Sequence, residues 1–84
     1  MSKVVMYCTE ICQYCHKAEK LLKSKGANVE KIFIEGNKRK IKEMLKRSRR
    51  NTVPQIFIGD EHIGGFDELS RLDKKGRLKT LLQE

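Results

Sequence analysis

The segment Tyr7–His16, YCTEICQYCH, holds all three cysteines of the chain and one of its two histidines. What the chain can fold into depends on where that segment falls. Before and into it runs KVVMYC, an apolar and aromatic stretch that reads as a buried strand over Lys3–Cys8. After it, Gln13–Lys25 sets Ala18, Leu21 and Leu22 on one helical face, and Gly26 stands where a helix C-terminus favours glycine. Cys12 and Cys15 therefore sit at a strand-to-helix junction. The spacing itself is compatible with several chemistries. Cys12-Gln13-Tyr14-Cys15 is a C-x-x-C redox pair, His16 extends it to a c-type haem attachment signature, and Cys8 extends it to the C-x3-C-x2-C of radical iron–sulfur enzymes.

The rest of the chain separates these. Eighty-four residues make one domain, 1–84, with no internal repeat, low-complexity segment or linker. A catalytic barrel around a radical cluster needs roughly 200 residues or more. A c-type haem needs a second axial ligand and an apolar pocket, whereas Met6 falls in the first strand and Met44 at a helical core spacing. A zinc site from Cys8, Cys12, Cys15 and His16 has the right ligand count, but a strand followed by a helix points the four in different directions. Cys8 then reads as a small buried hydrophobe and His16 as a helix-surface residue. No apolar run of about 18 residues is present to span a membrane, and MSKVVMYCTE has neither the apolar core nor the cleavage site of a secretory signal. An odd cysteine count without a signal is expected in a reducing compartment, the cytoplasm, where such pairs are catalytic or metal-binding.

Further along, Val29–Glu35 reads as a second strand despite Lys31. Asn37 can cap a helix running to about Arg47, and Gln55–Gly59 forms a third strand entered through Pro54. Gly59-Asp60 turns the chain into a short fourth strand, Glu61–Gly64. Asp67–Leu72 reads as a helix capped by Asp67, and Gly76–Gln83 as a further helical turn or two. The order βαβαββα implies an α/β fold: a helix between the first strands favours a parallel pair, and a tight turn makes the last pair antiparallel. A four-stranded mixed β-sheet flanked by helices results, and a C-x-x-C at its first strand–helix junction is where a thioredoxin-like redox motif belongs.

That junction suits the chemistry. A thiolate at a helix start meets unpaired backbone N–H groups and the positive end of the macrodipole, and the thiolate is the form that attacks a disulfide. Cys12 is thus the expected nucleophile, and Cys15, one turn inside, the resolving thiol. Lys17 reads as solvated. Of the net charge of +8, residues 38–50 carry eight Lys/Arg against one Glu. Ile41, Met44 and Leu45 at i, i+3 and i+4 make this an amphipathic helix with a solvated basic face, so nucleic acid is not the expected partner.

Two further stretches make the pattern specific. Thr52-Val53-Pro54-Gln55-Ile56-Phe57-Ile58 contains the only proline, directly before a strand, and Gly64-Gly65-Phe66-Asp67 is a glycine turn leading to an acidic residue at a helix start. With Cys12-Gln13-Tyr14-Cys15, in this order and at these separations, the chain resembles a glutaredoxin of the dithiol type over Val4 to about Leu82. The resemblance implies the thioredoxin-like fold, a cis Val53–Pro54 bond facing the cysteines, and glutathione as electron donor, with no metal in the redox form. It implies that Val53 pairs with the glutathione backbone as an added strand would, with Thr52 at the rim and Tyr14 beside the mixed disulfide. Gly64 and Gly65 would let the backbone come close, while the Phe66 and Asp67 N–H groups hold the γ-glutamyl carboxylate and the Asp67 side chain takes the ammonium. Partners would be glutathione and disulfide-containing or glutathionylated proteins, met by a monomer.

The sequence also departs from the family's pattern. Gln13 replaces the proline of C-P-Y-C, which pre-sets the first helical turn. Thr9 stands where relatives often carry a lysine for the glycine carboxylate of glutathione; Lys38 or Lys42 of the basic helix is expected to supply that cation. Two other functions share these features: a thioredoxin-like donor recharged by a flavoprotein reductase, and a carrier of a glutathione-ligated [2Fe–2S] cluster bridging two chains.

Overall fold

A computed structural model describes residues 2–84. Strand β1 (Val4–Cys8) leads to helix α1 (Gln13–Ser24), β2 (Val29–Phe33), α2 (Lys38–Ser48), β3 (Gln55–Ile58), β4 (Glu61–Gly64), α3 (Phe66–Lys74) and α4 (Leu78–Gln83). The sheet order is β2-β1-β3-β4, with β1 and β2 parallel and the other two pairs antiparallel. This is the α/β architecture expected, with the C-terminal stretch forming a helix of its own.

Period-two alternation in β1 builds two cores. Val4, Met6 and Cys8 point to one face, where they pack with Ala18 and Leu22 of α1, Leu69 of α3, and Leu78 and Leu82 of α4. Tyr7 points to the other, where it packs with Ile34, Phe57 and Met44 of α2. One face of the sheet thus carries α1, α3 and α4, and the other carries α2 alone.

Several expected boundaries move. β2 ends at Phe33, not Glu35: it pairs with β1 on one side only and is largely exposed, which is why Lys31 is tolerated there. Asn37 caps α2 as expected, accepting the Lys40 N–H at 3.1 Å. Ile41 is half-buried and Met44 buried, but Leu45 is 39 % exposed, at the margin of the packed face. α3 begins at Phe66 with Gly65 as its N-cap, so Asp67 is not the cap. The cap interaction comes from Glu68, whose Oε1 accepts the Gly65 N–H at 2.7 Å. A carboxylate at the third helical position reaches back to the cap more readily than one a residue earlier.

Candidate functional site

Cys12 is the N-cap of α1, and its Sγ accepts the Cys15 N–H at 3.2 Å. Gln13, the first residue of α1, takes the place of the family's proline without loss of the first turn. Cys12 is half-buried, so its sulfur is accessible, and it lies 4.0 Å from the Val53 carbonyl oxygen. Cys15 is only 3 % exposed. Burial pushes its thiol up to about 12, with the Cys12 sulfur hydrogen-bonded to it as the next cause. Cys8, the last residue of β1, is buried, and burial raises its pKa to about 11. Of the three thiols, one is therefore presented to solvent and two are held protonated in the interior.

His16 is exposed and its Nε2 lies 2.9 Å from the Glu10 carbonyl oxygen. Among the described residues, no three His, Cys, Asp or Glu side chains converge as metal ligands would.

Beyond Val53 opens a cleft of about 360 Å³, within the usual range for small-molecule sites, ~300–1,000 Å³. Its walls are Tyr14, Thr52, Val53, Pro54, Gly65, Phe66 and Asp67, together with Arg50, Gln55 and Glu68. Of the residues the sequence marked for glutathione, these first seven lie on one cleft, whereas Gly64 does not line it. The Val53–Pro54 bond is cis. Tyr14, 57 % exposed, tilts against Phe66 with ring centroids 6.2 Å apart, and the Lys17 ammonium lies 5.3 Å over the Tyr14 ring. At the opposite wall, α3 points its first turn into the cleft, with Asp67 and Glu68 there and the unpaired N–H groups that every helix start presents.

The cation on this cleft is Arg50, not Lys38 or Lys42, neither of which lines it. Arg49, at φ 60°, ends α2 in the left-handed conformation. Arg50 follows it onto the cleft and reaches Glu68 at 3.4 Å. Nothing within a run of eight basic residues marks which one turns inward; only the helix end does.

Sequence reasoning also missed Gln55 and His62. Gln55 is buried, and its Nε2 donates to the Thr52 carbonyl (2.9 Å) and hydroxyl (3.2 Å) oxygens. With the amide nitrogen so committed, its Oε1 accepts from His62 Nε2 at 2.8 Å. Burial, with Arg50 nearby, lowers the His62 pKa and so favours the neutral ring. This pins the cleft wall from Thr52 to Gln55 from behind. A polar residue at the first position of an apolar strand, Gln55 before Ile56, was the available signal.

Comparison with known proteins gives a consistent picture. The glutaredoxin family model matches residues 4–63. Glutaredoxin 3 of Escherichia coli (strain K12) is 52 % identical over 83 residues, covering 99 % of this chain and 100 % of that protein. The glutaredoxin of Pseudomonas aeruginosa is 40 % identical over 82 residues, covering 98 % of both. Among solved structures, the Brucella melitensis glutaredoxin matches with a TM-score of 0.85 at 44 % identity, covering 98 % of this chain and 89 % of that one. The buckwheat glutaredoxin–glutathione complex matches at 0.88 and 28 % identity, covering 98 % and 77 %.

Proposed function

The chain belongs to the glutaredoxin family and is a glutathione-dependent thiol–disulfide oxidoreductase, and from that premise we propose how its residues divide the work. Cys12 attacks, Cys15 resolves, and the cleft beyond Val53 holds glutathione. The observation that carries this reading is the contrast between the two thiols: Cys12 accessible at a helix N-cap, Cys15 buried behind it.

With a glutathione mixed disulfide, the Cys12 thiolate attacks the glutathione sulfur and the substrate leaves as a thiolate. A second glutathione thiolate then attacks that same sulfur, releasing glutathione disulfide and restoring the Cys12 thiolate. With a protein disulfide, Cys12 forms a mixed disulfide with one substrate sulfur and the other leaves as a thiolate. Cys15, losing its proton, attacks Cys12 Sγ and frees the second substrate thiolate. Two glutathiones then reduce the Cys12–Cys15 disulfide, so two electrons enter and two leave.

In the cleft, the Val53 backbone pairs with the glutathione peptide and Tyr14 flanks the mixed disulfide, with Thr52 at the rim. Gly65 lets the backbone approach, and the Phe66 and Asp67 N–H groups receive the γ-glutamyl carboxylate. The Asp67 carboxylate takes the ammonium, and Arg50 takes the role expected of Lys38 or Lys42 toward the glycine carboxylate. The protein works as a monomer in the cytoplasm, reducing glutathionylated and disulfide-bonded proteins. Its three free thiols suit that reducing compartment, and among the described residues no helix is long and apolar enough to cross a membrane.

The test is reduction of a glutathione mixed disulfide and of a protein disulfide, each coupled to glutathione and its reductase. Cys15→Ser should retain the first activity and lose most of the second; equal loss of both would refute the division of roles. Asp67→Ala should raise KM for the mixed disulfide roughly tenfold, the scale of one charge-assisted hydrogen bond. Unchanged turnover in that variant would point to recharging by a flavoprotein reductase. Visible absorbance after anaerobic purification would point to the cluster carrier.

A further inference from the structure

The basic helix stands outside the reaction just described, yet the topology ties it to the reacting edge. β2 runs parallel to β1 and so ends at the Cys12 end of the sheet, where the Ile34 N–H donates to the Cys8 carbonyl at 3.1 Å. β3 runs antiparallel and starts at that same end, with Gln55 opposite Tyr7. α2 joins the two, so the segments that lead into and out of it lie at the Cys12 edge. At its start, the Glu35 carboxylate accepts the Glu10 N–H at 2.8 Å, two residues before Cys12. At its end, Arg50 lines the cleft. Between them α2, about 16 Å long at 1.5 Å per residue, lies across β1 and β3. Arg47 caps the Tyr7 hydroxyl at 2.8 Å and sits 4.1 Å over the Phe57 ring.

The outer face of α2 carries Arg39, Lys42, Lys46 and Arg49, at i, i+3, i+7 and i+10, one stripe of an α-helix. Lys38 extends it. All five are exposed, and among the described residues none makes an ion pair. Lys40 and Arg50, by contrast, are paired with Glu43 and Glu68. Residues 38–50 account for +7 of the net +8, and the stripe supplies five of their eight cations.

We propose that the outer face of α2 docks acidic protein substrates, holding the segment that bears their disulfide along the Cys12 edge. The inference rests on the functional reading above and supplies the substrate class. Charge complementarity calls for an acidic partner, and the apolar neighbours call for a polypeptide. Leu45 borders the stripe, and Ile11, 87 % exposed, and Tyr14 flank the nucleophile. No aromatic side chain lies on the stripe to stack a base.

The probes are two synthetic peptides, each closed by one internal disulfide, one flanked by glutamates and the other by glutamines. Bis(2-hydroxyethyl) disulfide serves as a neutral small substrate, with glutathione as reductant throughout. Field-steered association accelerates by about 10-fold or more at low salt, so the glutamate peptide should show a kcat/KM about tenfold above its isostere at ~20 mM salt. That advantage should vanish near ~0.5 M salt, where the Debye length is only a few Å. The variant Arg39→Gln/Lys42→Gln/Lys46→Gln, which leaves the left-handed Arg49 intact, should lose most of the advantage yet reduce bis(2-hydroxyethyl) disulfide at the wild-type rate. Equal rates on the two peptides, or an advantage that survives the substitutions, overturns the proposal. So does a short DNA duplex that binds the stripe while the peptides react alike. Failure on the small disulfide would instead overturn the functional reading. Anisotropy of the labelled glutamate peptide against its isostere then still decides docking.

Discussion

Cys8 and Cys15 are thiols in an apolar interior, and each carries a price in pH. An unfolded thiol ionises near ~8.5, while burial moves Cys8 to about 11 and Cys15 to about 12. Between the unfolded and folded values only the unfolded chain has lost the proton, so alkali favours unfolding by about 1.4 kcal/mol per pH unit for each thiol. Below pH ~8.5 both states hold the proton and the effect is absent. Cys8→Val should therefore flatten the fall of urea-unfolding stability between pH ~8.5 and ~10 by about that slope; parallel curves for variant and wild type would contradict it. The division between an open Cys12 and a shielded Cys15 was legible in the sequence because a strand-to-helix junction exposes its first residue and buries one a turn later. Arg50 was not legible, since its direction depends on the left-handed Arg49 and not on residue type.

At the scale of elements, α1 and α2 matched expectation where a cap and an apolar spacing agreed, as with Asn37 and the Ile41–Met44 pair. The start of α3 did not, because Asp67 and Glu68 are both plausible capping carboxylates by composition and only geometry selects Glu68. That selection depends on the glycine before the cap. Gly64 has φ +116°, and a Cβ there would meet Glu68 Oε1 at 2.8 Å. Gly64→Ala should cost roughly 1–3 kcal/mol through its backbone alone, and should also displace Glu68 from the Gly65 N–H. The expected result is a lower urea midpoint together with a raised KM for the glutathione mixed disulfide. Removing the Glu68 side chain as well should relieve the contact but not the backbone strain, so the double variant should be less destabilised than the sum of the two. Strict additivity would show that Glu68 and Gly64 do not interfere. The end of β2, expected at Glu35 and found at Phe33, was misjudged because a strand's length is set by its neighbours and β2 has only one.

For the molecule as a whole, the last helix closes the larger core. Leu78 and Leu82 are almost wholly buried, and the Ser2 N–H donates to the Leu82 carbonyl at 3.2 Å, tying the two ends of the described chain together. Leu82→Ala should cost about 2–5 kcal/mol, lowering the urea midpoint with little change in its denaturant slope; a loss well under 1 kcal/mol would mean that α4 merely lies on the surface. Sequence pattern foresaw a helical tail there but not its weight, because two leucines four residues apart look alike on a frayed end and on the lid of a core. The same architecture divides the chain's labour. Both reacting thiols and the basic helix come from its first 48 residues, whereas all the cleft wall apart from Tyr14 comes from Arg50 onward. The exchange chemistry and the cleft are thus inherited as separate blocks of sequence. Drift in the second block can change which thiol carrier is accepted while the exchange chemistry stays intact, and drift in the first can retune the exchange without redrawing the cleft.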